Sequence, residues 1–171
     1  KNPKAKKDFQ WETYTHPQLG SFDEWDIEEL GQGHLICILR STPAYPTSVQ
    51  FAQAESFDYG RTWKNWRMNG IIHNFQNRPR IDKLADGTLL VSYGLRKESK
   101  IVAIPSFDGG KTWPADRRVT ILNNPLYGAT VDFAYTAMVP AWKNEYLFIY
   151  YAYPEKADSL HRGIYGNFIS A

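Results

Sequence analysis

The chain has 171 residues, enough for one domain with its own hydrophobic core. Its net charge of +2 gives no footprint for a nucleic-acid partner. No apolar run approaches the ~20 residues of a membrane-spanning helix. The single cysteine, Cys37, excludes an intrachain disulfide and, inside the apolar run LICIL, reads as a small core residue rather than a reactive thiol.

In chain order, the basic start from Lys1 to Lys7 reads as a frayed end, with no signal peptide visible. DFQWETYTH, 8–16, reads as a lone outer strand. A first unit follows, with strands predicted at WDIEEL (25–30), within LGQGHLICILR (30–40), at VQFAQAE (49–55) and at WRMNGII (66–72). A second unit repeats the pattern with RIDKL (80–84), LADGTLLVSYGLR (84–96), KIVAIP (100–105) and RRVTIL (117–122). A third has YTAMVPA (135–141), WKNEYLFIYYAY (142–153) and RGIYGNFIS (162–170), and then stops short of a fourth strand. Between the third and fourth strands of the first two units stand SFDYGRTW (56–63) and SFDGGKTW (106–113), identical at six of eight positions.

Four antiparallel strands per repeat of about 50 residues predict an all-β chain of β-propeller blades. A β-sandwich is the structural rival, but it does not need a repeated octet. The expected organisation is one partial propeller domain over 1–171, with blades near 24–72, 77–122 and 132–170 and with 8–16 as the outer strand of a preceding blade. Closed propellers have 4 to 8 blades, so about three blades read as part of a ring, its start truncated. The open blade faces call for a companion polypeptide carrying the other blades, or for self-association.

The octet has a physical reading of its own. Asp58 and Asp108 can accept backbone N–H bonds across a tight turn, and Gly60 and Gly110 can take positive φ. Trp63 and Trp113 can bury their rings against the blade, each contributing about 2–3 kcal/mol. A ligand or metal at Asp58 and Asp108 is the functional alternative to this structural role. The four histidines have no metal-ligand spacing, and no phosphate-cradling loop is present, so no metal or cofactor is expected.

Both octets match the Asp-box, Ser-x-Asp-x-Gly-x-Thr-Trp, which occurs in the sialidase superfamily and in other propellers. EWDIEELGQGHLICILR, 24–40, resembles the sialidase pattern of a Glu, a turn, an apolar run and an Arg, with Gln32-Gly33 where Asp-Gly is usual. RPRIDKLADGTLLVSYGLR, 78–96, is similar to a blade start in bacterial sialidase-like proteins, and DFAYTAMV, 132–139, to the segment bearing that family's tyrosine nucleophile. The resemblance implies the C-terminal half of a six-bladed sialidase-type propeller in a secreted or periplasmic protein. It implies Tyr135 as nucleophile, Glu24 as its base, and Arg40 and Arg96, with Arg80 and Arg78 as weaker alternatives, as ligands of a substrate carboxylate.

The chemistry is coherent. A guanidinium binds a carboxylate by paired, charge-assisted hydrogen bonds. A neutral tyrosine escapes the repulsion that an acidic sugar exerts on a carboxylate nucleophile, but it needs a neighbouring base. Asp26 is the alternative to Glu24 for that role. The family's acid/base Asp and first Arg belong to blades before this sequence, so the chain alone is expected to be inactive. Tyr150-Tyr151 stands where the family often has a Glu. The expected function is therefore a sialidase-like glycoside hydrolase acting on a terminal sialic-acid-type or other acidic sugar. A non-catalytic propeller binding glycans or proteins is the other expectation.

Overall fold

The computed structural model describes residues 22–41, 50–73, 78–95, 98–123, 133–142, 144–152 and 163–170. The outer strand expected at 8–16 lies outside the described residues. Among the described residues, eleven strands form three antiparallel sheets. The first holds β1 (Phe22–Gly31), β2 (His34–Ser41), β3 (Gln50–Ser56) and β4 (Lys64–Ile72) in sequential order. The second holds β5 (Arg80–Lys83), β6 (Leu89–Leu95), β7 (Lys100–Ser106) and β8 (Val119–Asn123). The third has three strands, β9 (Ala134–Pro140), β10 (Glu145–Ala152) and β11 (Gly163–Ser170). Each sheet is a blade, and the first strands β1, β5 and β9 lie against one another, β1 on β5 and β5 on β9.

Period-two alternation assigns each blade's side chains to its two faces. β6 is buried along its whole length because it has a neighbour on each face. Leu89, Val91, Tyr93 and Leu95 join Ile36, Ile38, Phe51 and Ile71 of the first blade in one core cluster. Leu90 joins Met138, Tyr146 and Phe148 of the third blade in the other. Cys37, between Ile36 and Ile38 in β2, is buried, and burial pushes its thiol up to about 12, so it stays protonated and inert.

The octets are turns held by side chains. In the first, Thr62 donates from its N–H to Asp58 Oδ1 (2.8 Å) and from its hydroxyl to Oδ2 (2.6 Å). Ser56 Oγ donates to Asp58 (2.8 Å) and accepts the Gly60 N–H (2.8 Å). Ser106, Asp108, Gly110 and Thr112 repeat the arrangement. The Thr62 hydroxyl and N–H hold the Asp58 carboxyl down to about 2. Gly60 and Gly110 have φ of +87° and +85°, the left-handed region where a side chain is strained.

The tryptophans of the two octets part company. Trp113 is 7% exposed and donates its indole N–H to Gln53 of β3 (3.0 Å), while Gln53 donates back to the Gly110 carbonyl (3.0 Å). Arg67 of β4 donates to the Gly110 and Lys111 carbonyls. The second octet is thus the joint between the first and second blades. Trp63, expected to bury its ring in the same way, is only half-buried. A ring of this kind is covered by the preceding blade, and among the described residues no blade precedes the first.

Two more differences from the sequence reading are local. β1 starts at Phe22 rather than Trp25, which brings Asp23 and Glu24 into the sheet. β8 starts at Val119 because Ala115–Arg117 form a 3₁₀ turn after Pro114.

His73, just past β4, is buried, stacks on Phe51 at 4.3 Å and lies 3.3 Å from Ser41 Oγ. Burial pushes its imidazole down to about 4 from 6.5, against a hydrogen bond with the Gln50 backbone. The unfolded chain therefore takes up this proton near pH 6.5, and the folded chain only near pH 4. Stability from this group is complete above pH 6.5 and falls as the pH drops through that window, by up to about 3 kcal/mol. Urea midpoints at pH 7 and pH 4.5 measure the loss, and His73→Phe, which keeps the stack, flattens the dependence.

Candidate functional site

At the start of β1 the chain makes a β-bulge. Phe22 pairs with Ser41 and Trp25 with Leu39, so three steps along β1 match two along β2. Asp23 and Glu24 therefore both oppose Arg40, although adjacent strand residues ordinarily point to opposite faces. Asp23 accepts from Arg40 Nε at 2.8 Å and from Nη2 at 2.5 Å, a bidentate pair. Glu24 Oε2 sits 2.6 Å from Arg40 Nη1 in an ion pair rather than an aligned hydrogen bond. The Arg40 hydrogen bonds hold the Asp23 carboxyl below the usual range, and the Asp23 carboxylate first and then the Glu24 charge raise Arg40.

A second bulge opens the third blade. Ile149 pairs with Ala137 and Tyr151 with Ala134, two steps on β10 against three on β9. Ala134 and Tyr135 both have positive φ, 107° and 42°. For residues with a Cβ such conformations cost about 1–3 kcal/mol each and persist only where the surroundings impose them. The consequence is directional: Tyr135 leaves the blade, remains 47% exposed, and donates its hydroxyl proton to Glu24 Oε1. The two residues are 111 positions apart and belong to the first and third blades, which meet because their inner strands converge. Tyr151 lies against the Tyr135 ring with centroids 5.6 Å apart, whereas Tyr150 turns inward and donates to Asn167.

Asp23, Glu24, Trp25, Arg78 and Tyr135 line an open cleft of about 480 Å³. Glu24, Arg40 and Tyr135 thus form one connected cluster. Arg96 lies outside the described residues. Arg80, the weaker alternative as a substrate ligand, lies at the seam between the first and second blades. Its Nε and Nη2 donate to Asp82 (3.0 and 2.7 Å), and its Nη1 is 3.4 Å from Asp26. Asp26, the alternative base, is buried in the same seam, where it accepts the Ile81 N–H (3.0 Å) and pairs with Arg78 (3.1 Å).

Sequence reasoning missed Asp23 and Trp25. Asp23 was one letter in an acidic run, and only the bulge turns it onto Arg40. Trp25 had no partner in the pattern, yet it lines the cleft and is 54% exposed. Among the described residues, no three His, Cys, Asp or Glu side chains converge as metal ligands.

No protein-family model and no curated protein matches this chain. Solved structures do. A protein of unknown function from Dyadobacter fermentans superposes with a TM-score of 0.69 at 24% identity, over 91% of this chain and 40% of that one. An α-L-arabinanase from Penicillium chrysogenum, complexed with arabinobiose, gives 0.66 at 20% identity over 87% and 46%. An α-L-arabinofuranosidase from Fusarium graminearum, in complex with an iminosugar inhibitor, gives 0.61 at 20% identity over 92% and 48%. The chain spans less than half the length of each. These likenesses establish the fold: an all-β chain of antiparallel propeller blades.

Proposed function

We propose that this chain is part of a propeller glycoside hydrolase whose reacting pair is Tyr135 and Glu24. The observation that carries the reading is their hydrogen bond. A phenol is a weak nucleophile at its ordinary pKa of ~10 and needs a base in contact with its proton. In the proposed first step the Tyr135 oxygen bonds to the anomeric carbon while its proton passes to Glu24. The glycosidic bond breaks, and its oxygen is protonated by an acid from blades outside this chain. Water then releases the sugar by the reverse transfer. Two of the matched structures are named as enzymes of arabinan and arabinofuranoside, which keeps the fold in glycan-cleaving company.

The finer, sialidase-type version of the reading makes the substrate a terminal acidic sugar and Arg40, with Arg96, its carboxylate ligand. A tyrosine favours it, because a carboxylate nucleophile ~4 Å from a substrate carboxylate would suffer about 4 kcal/mol of repulsion at an effective dielectric of ~20. The test is turnover of a fluorogenic sialoside by the complete protein and by its Tyr135→Phe variant. Full activity in the variant removes the mechanism. Specific glycan binding without turnover would favour a non-catalytic propeller.

The same reading includes further blades. The third blade exposes Val139, Ile164 and Phe168, an apolar face suited to another blade from a companion polypeptide or a second copy. Sedimentation of the isolated chain is expected to show association; a well-folded monomer at all concentrations contradicts this.

A further inference from the structure

We propose that Asp23 is an internal occupant of the carboxylate-binding fork of Arg40, and that it competes with an anionic sugar for that fork. This rests on the reading above and adds to it a residue that sets affinity for the substrate's charge.

Three observations carry it. First, Asp23 holds the Nε and Nη2 edge of Arg40, the geometry in which a guanidinium receives a free carboxylate in a bidentate manner. A sugar carboxylate that meets Arg40 by this edge must take the place of the Asp23 carboxylate. Second, the two acidic neighbours of Arg40 differ in how they are held. Glu24 is gripped from two sides, by Arg40 and by the Tyr135 hydroxyl, and stays where the chemistry needs it. Asp23 lines the cleft with a side chain 40% exposed, against 17% for Arg40, so it can swing into water while the guanidinium stays in place. Third, the bulge between Phe22 and Trp25 is what supplies two carboxylates to one arginine. A regular strand would have turned Asp23 to the opposite face and left the fork open.

An occupied fork also carries a consequence for charge. Arg40 faces two carboxylates, so an incoming third meets net negative charge until Asp23 leaves. An uncharged sugar of the same shape meets no such barrier. The occupant therefore acts on charge alone, and this separates it from a residue that merely supports the fold.

The experiment is calorimetric titration of the complete protein with N-acetylneuraminic acid and with glucuronic acid, each paired with its uncharged methyl ester. Asp23→Asn keeps the side-chain shape and removes the charge; Asp23→Ser removes the fork partner altogether. Both are expected to bind at least one acid at least tenfold more tightly than the unaltered protein, with the matching ester unchanged within twofold. If neither variant gains for either acid, or if acid and ester gain equally, the inference is overturned. Binding needs no turnover. A gain for the acid in a protein that hydrolyses no glycoside would keep this inference and remove the hydrolase reading instead.

Discussion

Trp113→Ala lowers the stability of the chain by about 3–5 kcal/mol, whereas Trp63→Ala costs about half of that or less. The two residues occupy the same position of the same octet, so local turn chemistry predicts equal losses. The blade arrangement predicts unequal ones. Trp113 fills the seam between two blades, touching the core cluster that includes Ile36 and Leu89, and its indole N–H is satisfied by Gln53. Its removal leaves a cavity and orphans a buried amide oxygen. Trp63 is already partly in water, so its removal opens little. Denaturant unfolding of the two variants measures the difference. The same seam makes Gly110 unforgiving: an added Cβ would lie 2.4 Å from Ile36 Cδ1, at a backbone angle that glycine alone tolerates well.

On the proposed mechanism, Tyr135→Phe is expected to reduce turnover by the complete protein at least about 10³-fold while leaving its melting temperature within a degree or two. Phenylalanine keeps the ring against Tyr151 and the Cβ on which the bulge is built, so what disappears is the oxygen and the proton it gives to Glu24. If Tyr135 served only as packing, the loss would be small; its 47% exposure and strained backbone argue for a role in the cleft. Glu24→Gln is expected to lower turnover as well, with a partial loss of order at Arg40, because the amide can neither accept the phenolic proton nor balance the guanidinium.

The blades were legible because two signals reinforced each other: period-two apolar runs of strand length, and an octet whose Ser, Asp, Gly and Thr have defined jobs in one turn. The convergence of Glu24, Arg40 and Tyr135 was legible only through a family pattern, since nothing in local sequence joins residues 111 positions apart. What the letters did not disclose were the two bulges. An extra residue in β1 and another in β9 leave composition and alternation nearly intact, yet one brings Asp23 onto Arg40 and the other swings Tyr135 out of its blade. The partners of Arg80 were not legible either. Asp82, two residues on in the same strand, faces it and accepts two hydrogen bonds from its guanidinium.

The most direct test is to look for the proposed covalent intermediate by trapping it. The complete protein is incubated with a fluorinated glycosyl fluoride that forms a slow-hydrolysing glycosyl–enzyme adduct, and the labelled peptide is mapped by mass spectrometry. The sugar is expected on the Tyr135 oxygen, with labelling abolished in Tyr135→Phe. A sugar found on Glu24 or on any other side chain contradicts the proposed chemistry.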